Sequence, residues 1–227
     1  MTIAMAWSGG KDSMLALDRL IRAGHDVRFL LNLYDRASGR IRFHGVRREL
    51  IQRQAERIGL LPFQLAVSQD NFETVFLDGL ARLRRAGATG IAFGNIHLAD
   101  VRGWYEERTT AAGLAHIEPL WGARSEELVA ELMSRGYRAM LTSVDVARAK
   151  REWLGRLLDP SLAKAIVASP GVDPAGEAGE YHTFVYDGPL LREPIDLVQG
   201  IVHDTANHAM IDLVESEADS GSRAHMQ

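Results

Sequence analysis

Trp7-Ser8-Gly9-Gly10-Lys11-Asp12-Ser13 is the stretch on which the reading of the fold turns. Before it, Thr2–Trp7 is a short apolar run expected as a buried strand. After it, Asp12–Ala23 sets Leu15, Leu17, Leu20 and Ile21 on one broad apolar face, as a helix does. Two adjacent glycines between strand and helix let the backbone turn tightly and bring its N–H groups close to an anion. The free amides at the start of the helix point the same way, and the helix dipole favours negative charge there. Ser8 and Ser13 add hydroxyls, and Lys11 adds a positive charge, expected on an exposed loop side chain. Asp12 can hold a magnesium ion through water or cap the helix. The stretch lacks the Gly-x-x-x-x-Gly-Lys-Ser/Thr pattern, which speaks against an ATPase that cleaves the γ-phosphate. Ser8–Ser13 reads as a phosphate loop.

Working outward, short apolar runs alternate with helical patterns. Val27–Leu33, Phe63–Val67 and Gly90–Phe93 are expected strands; Val46–Ile58, Phe72–Arg85 and Ala99–Ala112 are expected helices. Strands spaced by helices of this length imply a doubly wound parallel α/β sheet over residues 1–118. After Ile117-Glu118-Pro119 the pattern changes, and residues 119–214 are expected to form a smaller α+β domain. It has helices at Ser125–Ser134 and Ala147–Leu158 around a strand at Ala139–Val144. A Pro/Gly-rich stretch leads into a strand at Tyr181–Tyr186 and a terminal hairpin, Leu197–Val202 with Ala209–Val214. Residues 215–227 are polar and expected to fray.

The second half carries one dense cluster, Gly176-Glu177-Ala178-Gly179-Glu180-Tyr181-His182-Thr183, followed by Asp187-Gly188-Pro189. Two carboxylates, an imidazole and a hydroxyl lie within seven residues beside flexible glycines. In a strand Glu180 and His182 share a face and would converge on one site. Glu177, Glu180, His182 and Thr183 are therefore the candidates for positioning an acceptor and moving protons. His44 follows the second strand, at the edge where open α/β sheets bind ligands. It is expected to face either the nucleotide or backbone partners, and the same two readings hold for His97. Trp104 and Tyr105 are expected as helix packing. Arg47, Arg48, Arg53 and Arg57 share a helix and are expected to be largely solvated.

The two motifs together resemble the diphthine–ammonia ligase family, within the PP-loop ATP pyrophosphatases of the HUP fold. Phe93-Gly94-Asn95-Ile96, Trp104-Tyr105-Glu106-Glu107, Pro119-Leu120-Trp121 and Trp153-Leu154-Gly155-Arg156 also match, so the likeness runs from residue 3 to about 202. The resemblance implies ATP and Mg2+, with the β- and γ-phosphates in the loop at Ser8, Gly9, Gly10, Lys11, Asp12 and Ser13. It implies that a carboxylate acceptor becomes an acyl-adenylate and that ammonia then gives an amide. In the family that carboxylate belongs to a modified histidine on a translation elongation factor. The family usually has Gly-Asp-Ile where this chain has Gly94-Asn95-Ile96. An amide supplies no negative charge, which leaves Gly94 and Asn95 with adenosine contact rather than a metal role.

Composition narrows the alternatives. The 227 residues carry a net charge of −4, 25% charged and 46% hydrophobic side chains, and no cysteine. Disulfides, thiolate metal sites and cysteine nucleophiles are excluded for this chain acting alone. Nothing is apolar for long enough to cross a bilayer, and a cytoplasmic protein is the simplest expectation. The acidic balance gives no case for strong nucleic-acid binding, which weighs against a tRNA-modifying enzyme on the same fold. A regulator that senses ATP or AMP without turnover would leave the Glu177–His182 cluster unexplained. Self-association as a homo-oligomer stays open.

Overall fold

The computed structural model describes residues 1–216. The expected frayed run from 217 onward lies outside the described residues, while Glu215, counted with that tail, ends a strand.

The first half winds as β1 (Thr2–Ala6), α1 (Lys11–Arg22), β2 (Asp26–Asp35), α2 (Arg48–Ile58), β3 (Leu61–Val67), α3 (Phe72–Arg85), β4 (Gly90–Ala92), α4 (Ala99–Ala111) and β5 (Ala115–Ile117). The five strands are parallel in the order β3-β2-β1-β4-β5. Burial on both faces explains the unbroken apolar run of β1. Ile3 and Met5 enter one core cluster and Ala4 the other, as strand alternation requires. β5 was not expected: three residues, none of them fully buried, leave too little pattern to read. The order in which strands are added reverses between β1 and β4, and ligands collect at such a switch point, beyond the carboxyl ends of the strands. The phosphate loop follows β1 and Gly94-Asn95 follows β4, so both reach that crevice.

The second half contains α5 (Ser125–Ser134), β6 (Arg138–Asp145), a single 3-10 turn (Arg151–Trp153), α6 (Pro160–Val167), β7 (Tyr181–Asp187), β8 (Leu197–Asp204) and β9 (His208–Glu215). Its antiparallel sheet has the order β7-β6-β9-β8. The helix expected over Ala147–Leu158 does not form. Gly155 takes φ +74°, and the segment runs back along β6, with Leu141 N bonded to Arg156 O and Leu158 N to Ala139 O. Trp153, 1% exposed, anchors it. Burying that ring contributes about 2–3 kcal/mol, enough to override helical periodicity. The helix forms instead at α6, where the Asp159 side chain caps Leu162 N and Pro160 opens the first turn.

One continuous cluster of buried side chains joins the halves, running from Ile3, Met5 and Trp7 through Leu141 and Trp153 to Phe184 and Leu213. Buried polar groups cross the same seam. Asp18 of α1, 1% exposed, takes the Tyr137 hydroxyl at 2.6 Å and the Arg135 guanidinium. Asp212 of β9 pairs with Arg47 at 2.5 Å and Arg40 at 2.8 Å, which hold its carboxyl well below the usual range. Arg47, expected to be solvated, is thus a strut between halves, and Arg53 likewise reaches Glu215 at 2.7 Å.

Candidate nucleotide site

Gly9 adopts φ +78°, and a Cβ there would lie 2.4 Å from Ile51 Cδ1, so no other residue fits. Gly10 has ordinary φ, but its Cβ would lie 2.8 Å from His44 Cε1 and 3.0 Å from Thr183 O. The loop is gripped from the second half: Val185 N donates to Gly9 O at 2.9 Å, and Lys11 N to Thr183 Oγ1 at 3.0 Å. Fully buried Gln54 donates to Gly9 O and Val185 O while accepting from Trp7 Nε1 at 2.8 Å. With Lys11 N used, the amides of Asp12 and Ser13 are the first-turn donors without an intrahelical acceptor. Ser13 Oγ donates to Gly10 O at 3.0 Å and lies 3.2 Å from Ser8 Oγ, which accepts from Gly10 N. Lys11 departs from expectation. It is 4% exposed, because β7 roofs the helix start, and its ammonium pairs with Asp12 Oδ2 at 2.8 Å beneath the Tyr181 ring.

Beyond the loop opens a cleft of about 480 Å3, within the range of small-molecule sites. Its apolar lining includes Leu31, Leu33, Phe72, Phe76, Phe93 and Tyr105. Its polar lining includes Ser8, Asp12, Ser13, His44, Asn95, Glu177 and His182, together with Arg42, whose guanidinium lies 5.8 Å from the centre of the Phe72 ring. Two surface grooves are larger, at about 600 and 610 Å3, but neither reaches the phosphate loop. The cleft is therefore the better site.

Its titratable groups are shifted in a consistent pattern. Burial raises the carboxyls of Asp12 and Glu177; the Lys11 ammonium offsets part of this for both, and Asp12 adds repulsion at Glu177. Burial lowers His44 to about 4 and His182 well below its ordinary value, and the two rings lie 4.5 Å apart. Both imidazoles are neutral near pH 7. His44 Nδ1 faces Thr183 O at 3.1 Å and must carry its proton, so Nε2 is the free acceptor. A neutral acceptor suits a hydroxyl or amine better than a phosphate oxygen.

The cluster expected to act as a unit divides. Glu177 and His182 line the cleft, and Glu177 Oε1 accepts from Ile96 N at 2.8 Å. Glu180 is 3% exposed and outside the cleft lining; its Oε1 accepts from Asp173 N at 3.1 Å. Thr183 serves the Lys11 amide. His97 turns from the cleft to Asp173 Oδ2 at 3.1 Å. Asp173, which the sequence reading passed over, organises the loop: it also takes Ser125 Oγ and the amides of Ala175 and Glu177. Burial works to raise its carboxyl, but these bonds outweigh it and the net shift is downward. Asp173 precedes Pro174, and an Asp before a Pro/Gly-rich run is the signal that marks such a residue.

Gly94 lies flat on α1, where a Cβ would sit 3.0 Å from Asp12 C and Ser13 N. The Asn95 departure has a physical reason. Asn95 Nδ2 donates to Glu118 Oε1 at 2.8 Å, and an aspartate would place two carboxylates there. Tyr105 is more than helix packing, since it also lines the cleft.

A parallel α/β sheet with an amide-lined glycine loop at its switch point, opening on a cleft of mixed apolar and polar lining, defines a nucleotide-binding protein of the PP-loop type. Family comparison is more specific: the diphthamide synthase N-terminal domain matches residues 1–116 and the diphthamide synthase C-terminal domain residues 124–214, so the chain belongs to that family. A human protein named diphthine–ammonia ligase is 27% identical over 230 residues, covering 89% of this chain and 86% of its own length. The fission yeast (Schizosaccharomyces pombe) protein of that name is 26% identical over 211 residues, 84% of this chain, and the chain spans only 35% of its length. A solved structure described as a predicted subunit of tRNA methyltransferase from Methanocaldococcus jannaschii covers 86% of this chain at 18% identity, with a TM-score of 0.47, too loose a likeness to argue from.

Proposed function

We propose that this chain is an ATP-dependent, amide-forming ligase of the diphthine–ammonia ligase type. In this reading an acceptor carboxylate oxygen attacks the α-phosphorus of ATP and pyrophosphate leaves. Ammonia then attacks the acyl carbon, AMP leaves, and the nitrogen gives up a proton. The acceptor is the carboxylate of a modified histidine on a translation elongation factor. The observation that carries the reading is the union of the halves at the loop: Thr183 and Val185 clamp the phosphate loop while Glu177 and His182, from the same segment, face its cleft.

The apolar lining fits a purine, and the amides of Asp12 and Ser13 fit phosphate oxygens. Pre-aimed donors of this kind stabilise charge as it develops on the leaving pyrophosphate. His182 and the free Nε2 of His44 are neutral acceptors placed to take a proton from an incoming amine. Glu177 orients the acceptor side of the cleft, whereas Glu180 and Thr183 act through the scaffold they hold. The residues also fit Mg2+: Asp12 and Glu177 both line the cleft, burial penalises their charge, and phosphates would worsen that penalty without a cation. Among the described residues no three His, Cys, Asp or Glu side chains form a metal cage, so the ion would be shared with the phosphates. When bound it would neutralise charge on the leaving group.

The test uses ATP labelled on the α-phosphate, Mg2+, ammonium and an elongation factor carrying the unamidated modified histidine. The expected products are AMP and pyrophosphate, with turnover dependent on the acceptor. ADP as the main enzyme-dependent product would overturn the reading.

A further inference from the structure

Glu118 is a buried acid that the chemistry above does not use. It follows β5 as Asn95 follows β4, on neighbouring parallel strands and at the same carboxyl edge. Its side chain is 3% exposed; its Oε2 forms an ion pair with Arg102 Nε at 3.5 Å and has no hydrogen-bond partner among the described residues. Its Oε1 takes both Asn95 Nδ2 at 2.8 Å and His116 Nε2 at 3.0 Å. His116 is in turn fixed by Thr109 Oγ1 at 3.2 Å and by stacking on Phe93, 5.0 Å between centroids. Burying a carboxylate is costly even with one long ion pair, so the arrangement needs a return elsewhere.

We propose that Glu118 is a positioning residue that fixes the amide rotamer of Asn95, making Asn95 Oδ1 the acceptor that reads an N–H or O–H donor on the bound ligand. An unrestrained cleft asparagine can turn either end of its amide to a ligand. With Nδ2 held by a buried carboxylate the amide cannot turn over, and Oδ1, which makes no hydrogen bond among the described residues, is the acceptor left to the cleft that Asn95 lines. The residues on either side are fixed, for Gly94 packs on the start of α1 and Glu177 holds Ile96 N. The donor it would meet belongs either to the nucleotide, as an amine or ribose hydroxyl, or to the nitrogen substrate. This inference rests on the nucleotide-site reading and adds to it the polarity of one contact and the residue that sets it.

The experiment compares wild type with Asn95→Asp, Glu118→Leu and the double variant Asn95→Asp/Glu118→Gln. ATP affinity is read by calorimetry without other substrates, and KM for ammonium by AMP formation; thermal midpoints confirm folding. Glu118→Leu releases the amide, and the affected constant should weaken roughly 3- to 10-fold, the worth of one neutral hydrogen bond, with kcat little changed. Asn95→Asp sets two carboxylates together and should weaken the same constant at least as much. The double variant exchanges amide and carboxylate between the two positions, so that the side chain at 118 donates to the one at 95. That restores an outward acceptor, and the constant should return to within about 3-fold of wild type. A change in ATP affinity assigns the donor to the nucleotide; a change confined to the KM for ammonium assigns it to the nitrogen substrate. Unchanged constants throughout, or a double variant no better than Asn95→Asp alone, would overturn the positioning role. If Glu118→Leu does not fold, the Asn95→Asp and double-variant pair decides alone. Wild type that binds no nucleotide would overturn the site reading and this inference with it.

Discussion

Two glycine-rich loops meet at the cleft, and they use polar groups in opposite senses. Ser8–Ser13 turns donors outward, and its glycines are crowded, with Ile51, His44 and Thr183 where side chains would be. Asp173–Glu180 turns acceptors inward: Asp173 Oδ1 holds the amides of Ala175 and Glu177, and Glu180 Oε1 holds that of Asp173. Gly179, though at φ +89°, meets nothing closer than 3.4 Å. A run of carboxylates therefore mixes scaffold with chemistry, and burial separates the two. Glu180 gives one oxygen to its own loop and buries the other without a hydrogen-bond partner among the described residues, whereas Glu177 keeps one oxygen for the cleft.

The sharpest way to break this contrast is alanine in each loop. Gly9→Ala combines a left-handed backbone with a 2.4 Å approach to Ile51. It should destabilise by about 3–5 kcal/mol, lower the thermal midpoint by roughly 6–15 °C and abolish ATP binding. Gly179→Ala carries the backbone penalty alone, about 1–2 kcal/mol, with ATP affinity kept. Equal losses in calorimetric scans of the two variants would erase the distinction.

Next in size is the division between the two glutamates. Glu177→Gln keeps an acceptor for Ile96 N but loses its charge, and should lower acceptor-dependent turnover about 100-fold with little change in midpoint. Glu180→Ala strands the Asp173 amide and should lower stability by about 1–3 kcal/mol. Its turnover should recover on cooling. A Glu180 variant that is stable yet inactive would reverse the roles assigned to the pair.

The smallest effect is in pH. A buried histidine held at about 4 binds fewer protons folded than unfolded between about 4 and 6.5. Stability from His44 is therefore complete above about 6.5 and is lost as pH falls through that window, by at most about 1.4 kcal/mol per unit. His182 acts with the same sign, while Asp12 and Glu177, raised by burial, act with the opposite one. The comparison is thus wild type against His44→Gln at pH 7 and pH 5. The variant should lose less stability on acidification, and parallel curves would remove His44 from the account.

Much of this was legible in the sequence where the rule is local. Gly9 and Gly10 between an apolar run and a helix marked the loop, and strand–helix alternation marked the parallel sheet. What escaped depended on tertiary partners. Ala147–Leu158 has helical spacing, but Trp153 finds a pocket and the backbone finds β6. Lys11 reads as a loop cation until β7 covers it. Glu118 reads as the close of a segment, because only the sheet sets it beside Asn95. Local sequence cannot tell which of Glu177 and Glu180 turns inward, since each directly follows a glycine of the same short run.

The bonds from Thr183 and Val185 into the phosphate loop also bear on how the protein is made. A ribosome that has released residues 1–119 has produced every donor of the cradle but not the strand that holds it in shape. In the emerging first half the face of α1 that packs on α5 and β7 is still bare. The held shape of the loop thus arrives late in translation, in one step with closure of the core, and synthesis that stops midway leaves that face unpacked.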